Sequence, residues 1–292
     1  MPGSVLGDGH EYLTLLGRVS VLYLLLAIFV YYFSVLIYAF RWKLILGGIG
    51  KDVPFLELVK SILASIFMNN VTPMSRSGGE VLRIAWISRK GKIPVGLSAM
   101  SVVYERILET IPVFVLFLVG MLYFSSIPGL LFVLGVLGIA LVWIRWEDFV
   151  RISLRVFRTS VSYEEMERIV SLKRCHNVTL GGILLSSAIW ILDVLRLKLI
   201  TLAFGLHLSI SILVVVSIAN LLLGLVALTP GGVGIIEGGL VGTLAYFGLP
   251  LAMAVSVTLL ERFVSYVLST VVGFFVLVTS GGREIWRALK SP

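Results

Sequence analysis

Long apolar runs, interrupted twice by polar and glycine-rich stretches, set the pattern of this chain. Runs at about 13–40, 95–124, 129–144, 178–205 and 251–280 are made mostly of apolar residues. About 20 such residues in a helix cross the hydrocarbon core of a bilayer, so each run predicts a spanning helix, with 129–144 short for the task. Alternating segments of about ten residues, the mark of a membrane barrel, are absent from the sequence. The uncharged stretch 19–40 runs into Arg41-Trp42-Lys43 with no small-residue cleavage pattern, which predicts a retained span and not a signal peptide.

Two segments between these runs have another character. The arms 55–68 and 80–88 are each too short to cross at about 1.5 Å per residue, and Thr72-Pro73 separates them. Arms at 209–228 and 235–248 flank "TPGGVGIIEGG", residues 229–239, although the first of these is long enough to span. Both segments predict re-entrant or broken-helix hairpins.

The two hairpins share an order of features. Pro73 and Pro230, each preceded by threonine, are followed seven residues later by Glu80 and Glu237. Farther on, "AMSVVYER" (99–106) resembles "AVSVTLLER" (254–262) with one residue inserted, ending in Glu105-Arg106 and Glu261-Arg262. The prolines lie 157 residues apart and the Glu-Arg pairs 156, a near-constant offset that predicts an internal repeat of the kind found in transporters. The expected organisation is a single all-α, polytopic transmembrane domain over 1–292. Repeat one occupies about 13–124, a connecting span 129–144, a cytoplasmic insert 145–177 and repeat two about 178–280.

Composition agrees: 58% of the 292 residues are hydrophobic and 14% charged, the balance of a multispanning membrane protein. The net charge of +8 is explained without nucleic acid, because most of the 24 Lys and Arg fall on one side if each hairpin leaves and re-enters on the same side. Arg41, Lys43, Lys51, Lys60 and Arg83 belong to that side in this count, with the basic residues of 145–177 and the C-terminus. The turns "SSIPG", "LHLS" and "YFGLP" on the other side carry none. By the positive-inside rule the basic side is cytoplasmic, in the cell membrane, and the two repeats run in opposite directions. Within 145–177, Arg151, Arg155 and Arg158 share one helical face and Phe149, Ile152, Val156 and Phe157 much of another, which predicts an interfacial hairpin drawn to anionic lipid. "SYEE" at 162–165 predicts a capping box.

The chemistry lies at membrane depth. Arg76, Arg106, Arg196, Lys198 and Arg262, with Glu80, Glu105, Glu109, Asp193, Glu237 and Glu261, remain there. Each would cost about 2.5–3.5 kcal/mol at a helix centre unless paired or wet. Adjacent Glu and Arg point about 100° apart on a helix, so pairing across the two repeats is expected. A half-helix beginning near Gly234 would aim free N–H groups at the membrane interior, and Gly231, Gly232 and Gly234 would let a ligand approach the backbone. Arg76 and Gly78-Gly79 offer the same from the other repeat. The candidate head-group site is therefore Thr72, Pro73, Arg76, Gly79, Glu80, Arg83, Glu105, Arg106, Thr229, Pro230, Gly231, Gly232, Gly234, Glu237, Glu261 and Arg262. Neither a cofactor nor a metal is expected, since Cys175, His10, His176 and His207 have no ligand spacing.

Arg41-Trp42-Lys43, "NNVTPMSRSGGEVLR", Glu105-Arg106, "TPGGVGIIEGG" and "LLER" resemble the flippase-like membrane family typified by the membrane part of bacterial lysylphosphatidylglycerol synthetases. The similarity covers nearly the whole chain, and the second glycine-rich motif is its most specific part. It implies movement of a lipid with a charged or modified head group between leaflets. By the family pattern it assigns the site to Pro73, Arg76, Gly79, Glu80, Arg83, Arg106, Pro230, Gly231, Gly232, Gly234, Glu237 and Arg262. Family members often begin with one more span and an inside N-terminus. No aminoacyl transferase domain accompanies this sequence, so an aminoacylated lipid is not implied.

The expected function is thus a lipid flippase or scramblase-like transporter that catalyses no covalent reaction. A membrane lipid is the expected partner, and a separate lipid-modifying or glycosyl-transferring enzyme a further candidate; nucleic acid is not. Two other readings stand beside it: an intramembrane enzyme with Glu80 or Glu237 as general base, and an ion-coupled solute transporter.

Overall fold

The computed structural model describes residues 17, 19–73, 77–121, 129–156 and 161–280, and among them there is no strand. Eleven helices follow one another: α1 Val21–Gly48, α2 Phe55–Val71, α3 Ser77–Lys90, α4 Val95–Met121, α5 Gly129–Ile144, α6 Trp146–Val156, α7 Tyr163–Ser171, α8 His176–Ala203, α9 Ile210–Val226, α10 Ile235–Tyr246 and α11 Leu251–Thr279. Three of these, α1, α8 and α11, are long and apolar enough to cross a membrane. The all-helical, polytopic reading holds, with the first span displaced: its helix ends at Gly48, where residue 40 was expected. Residue 13, taken as the start of that span, lies outside the described residues.

The distribution of polarity is inverted relative to a water-soluble protein. Phe29, Leu184, Ile191 and Phe275 present about 60% or more of their surface outward, while Arg41 and Glu105 are completely buried. Lipid tails satisfy the first group, and only protein partners can satisfy the second.

The two 28-residue helices α1 and α8 form the centre of the packing. They run antiparallel, because the Ser20 N–H at the start of one donates to the Ala203 carbonyl at the end of the other at 2.9 Å. At the far end Gly48 lies against Leu172 and Val178. Two hydrophobic clusters flank this pair. One gathers Trp42, Leu58, Trp86, Met100 and Leu108, and the other Leu197, Leu213, Leu240 and Val257.

Each cluster holds one broken hairpin. Helices α2 and α3 pack closely through Gly79, where a Cβ would collide with the Ser65 carbonyl and the Asn69 amide; the Gly79 N–H instead donates to Asn69 Oδ1 at 2.8 Å. In the second hairpin α9 and α10 are joined by a single 3₁₀ turn, Pro230–Gly232, and Gly239 gives the close approach against Leu223. The turn packs against α2, so the two breaks adjoin.

In the insert, α6 buries Trp146, Val150 and Leu154 against the protein with Phe149 partly buried beside them, and the Trp146 indole N–H donates to the Ile169 carbonyl at 3.2 Å. The ring of Tyr104 of α4 meets the same tryptophan edge-on, so this face is closed by protein. Ile152 and Val156 stay outward, and Phe157 and Arg158 lie outside the described residues. The capping box is present: Ser162 N–H donates to Glu165 and Glu165 N–H to Ser162 Oγ, starting α7.

Candidate functional site

A cavity of about 290 Å³ opens where the two helix breaks meet, at the lower edge of the size of small-molecule sites. Glu80, Arg83, Arg106 and Glu109 line it from the first half, Gly231, Gly232 and Arg262 from the second, and Asp193 and Arg196 from α8.

The first charged network is built on α4. Glu105 is fully buried and accepts from both Arg41 and Arg83, each itself nearly inaccessible. One helical position on, Arg106 faces the cavity with 38% of its side chain exposed, pairing with Glu80 and, at 2.7 Å, with Glu109. Adjacent residues on one helix thus divide the work, as their 100° separation allows. Arg41 also donates to Ser186 Oγ of α8 at 2.7 Å, and Arg83 lies over the Trp42 ring at 4.1 Å.

A similar network occupies the second half. Glu261, 2% exposed, accepts from Arg196 at 2.8 Å, and Arg196 also holds Asp193 at 2.7 Å. Arg262 turns instead toward the break: its Nε donates to Glu237 Oε1 at 2.6 Å and its terminal nitrogen to the Gly231 carbonyl at 2.8 Å. Glu237 Oε2 in turn accepts the Gly234 N–H at 2.6 Å. Gly231, Gly232 and Gly234 have φ of 59°, 70° and 84°, left-handed values that side chains disfavour, and they fold the carbonyl of residue 231 toward Arg262.

Three sequence expectations are corrected by this geometry. Among the described residues the charges pair within each half and not across the halves, because α4 and α11 each bring their own hairpin's glutamate within reach. Arg41 and Arg83, counted with the loops, are buried inside the protein; three buried or half-buried glutamates in the first half require more cations than Arg106 alone supplies. The N–H of Gly234, expected to be free, is held by the chain's own carboxylate.

The other sequence candidates lie as follows. Thr72 Oγ1 donates to the Met68 carbonyl at 2.6 Å and closes α2, and Pro73 follows at the break. Thr229 Oγ1 spans the second break to the Val233 carbonyl at 2.9 Å, and Pro230 opens the 3₁₀ turn. Glu105 and Glu261 stand behind the cavity lining, and Arg76 lies outside the described residues.

Residues that joined the two halves were missed by the sequence reading. Asn70 of the first break donates to Thr270 Oγ1 at 2.8 Å and approaches the Tyr266 carbonyl at 3.4 Å. That carbonyl belongs to a π-helical turn, Phe263–Leu268, immediately after Arg262; such wider turns disturb the regular ladder of hydrogen bonds. Tyr266 lies 4.5 Å from the Arg262 guanidinium. The consecutive asparagines of "MNNVTP" before a helix break were the available signal.

Residues 5–273 match the family model described as the lysylphosphatidylglycerol synthase TM region. The chain belongs to this family. UPF0104 membrane proteins of Pyrococcus horikoshii and Methanocaldococcus jannaschii are 29% and 28% identical to it, over 89% and 88% of this chain and 87% and 84% of their own lengths. A UPF0104 membrane protein of Methanothermobacter thermautotrophicus is 25% identical over 92% of this chain and 88% of the relative. With its lipid-facing helices, this lysylphosphatidylglycerol synthase TM region protein is an integral membrane protein.

Proposed function

We propose that the protein is a lipid flippase or scramblase-like transporter, moving a lipid with a charged head group between leaflets, and that its fold is an inverted repeat around the cavity. The observation that carries the reading is the pair of like contacts at one cavity. Glu80 with Arg106 and Glu237 with Arg262 occupy corresponding places after the two Thr-Pro breaks. Equal lengths support the repeat: α1 and α8 have 28 residues each, and α2 and α9 have 17 each. The antiparallel course of α1 and α8 supports its inversion.

In this reading the glutamates stand in for the ligand. Arg262 and the Gly234 N–H already hold a carboxylate, so a phosphate of the head group has a matching set of donors once Glu237 yields them. Arg106 and Glu80 repeat the exchange from the other half. The partner is a membrane lipid, with a separate lipid-modifying or glycosyl-transferring enzyme acting before or after it. The protein itself forms and breaks no covalent bond. The basic face, with residues 145–177 and the C-terminus, lies in the cytoplasm, and the protein resides in the cell membrane.

Reconstitution in liposomes with fluorescent anionic, cationic and polyprenyl-linked lipids tests the proposal. Protein-dependent movement of at least one head group between leaflets is expected. A folded sample that moves none of them overturns it.

A further inference from the structure

The wall of the cavity formed by α8 and α9 carries polar groups that the two glutamate–arginine pairs do not use. Trp190 and Asp193 lie three residues apart on α8, and Ser217 and Asn220 three apart on α9, a spacing that turns each couple to one helical face. All four line the cavity. Trp190 is 9% exposed, and its indole N–H is buried without a hydrogen-bond partner among the described residues. Asn220 is half-buried on the cavity lining, and its amide shows no hydrogen-bond partner among those residues. Asp193 accepts from Arg196 at 2.7 Å and from the Ser217 hydroxyl, which leaves lone pairs over.

Resting on the transport reading, we propose that this wall is a subsite for the hydroxyl-bearing part of the head group, a sugar or cyclitol ring linked to the lipid phosphate. The argument is an accounting of donors and acceptors. A phosphate brings acceptors to Asp193, which repels it. An ammonium brings donors only, and leaves the N–H groups of Trp190 and Asn220 unmet. A hydroxyl both gives and accepts, and so satisfies Trp190 and Asn220 as acceptor and Asp193 as donor. Unmade hydrogen bonds of buried groups are costly, so such a site discriminates strongly against a head group lacking the hydroxyls.

Binding of dioctanoyl phosphatidylinositol, phosphatidic acid and phosphatidylethanolamine to the purified full chain in detergent tests the subsite independently of transport. The wild type is expected to bind phosphatidylinositol about 10-fold more tightly than phosphatidic acid. Trp190→Phe, which keeps the ring and removes the N–H, and Asn220→Leu should each reduce that preference several-fold with phosphatidic acid affinity retained. Equal affinities in the wild type, a preference that survives in the double variant, or tightest binding to phosphatidylethanolamine overturns the subsite. Should Asn220→Leu fail to fold, Trp190→Phe alone decides. Preferential binding of phosphatidylinositol without its movement in liposomes upholds the subsite and counts against transport. Movement at one rate for phosphatidylinositol and phosphatidic acid, unchanged by Trp190→Phe, does the reverse.

Discussion

Glu105 is enclosed between Arg41 and Arg83, whereas Glu237 keeps 27% of its side chain exposed beside Arg262. The same carboxylate therefore does different things in the two places. Removing the charge of Glu105 leaves two buried guanidinium groups with an incomplete partner, and breaking a buried pair in this way costs about 3–5 kcal/mol. Glu105→Gln is expected to lower the thermal unfolding midpoint in detergent markedly. Glu237→Gln should leave that midpoint little changed. It frees Arg262 for an external anion, so phosphatidic acid should bind roughly 10-fold more tightly, with transport slowed as release becomes difficult. Arg262→Ala removes the guanidinium itself and should reduce both binding and movement. The repeated Glu-Arg dipeptides were legible in the sequence, but their division into a buried and a cavity-facing member depends on what each helix face meets.

At the scale of elements, the hairpins depend on glycines with different surroundings. Gly79 presses against the backbone of α2, while Gly238 in α10 has open space where a Cβ would stand. Gly79→Ala should force α2 and α3 apart and destabilise the protein by about 1–3 kcal/mol. Gly238→Ala meets nothing and gains helix propensity, so it should be neutral or stabilising by up to about 1 kcal/mol. Differential unfolding of the two variants in the same detergent checks the contrast. Run length and the Thr-Pro breaks located both hairpins in the sequence. Their contact could not be read there, because it is made by Asn70 with Thr270 and the carbonyl of Tyr266, groups about 200 residues apart. The π-helical turn was equally hidden, since the apolar residues that follow Glu261-Arg262 carry no glycine or proline before Gly273 to mark it.

For the whole molecule, the proposed orientation has a direct test in Cys175, the single cysteine of the chain, which lies partly exposed just before α8. A membrane-impermeant maleimide should label it in inside-out vesicles and spare it in right-side-out ones; the opposite pattern reverses the topology. The sequence by itself determined that the chain is helical and lives in lipid, because a bilayer demands long apolar runs with their backbone bonds closed internally. It also marked the two breaks and the charges near them, since a proline, a glycine run or a carboxylate in such surroundings stands out without reference to any neighbour. Only the tertiary structure decided which charge meets which. Arg41 looked like a loop cation until α1 was seen to continue past it toward Glu105, and the Gly234 N–H looked free until Glu237 folded back onto it. A buried charge is stabilised by groups from several helices at once, and that choice of partners belongs to the packing.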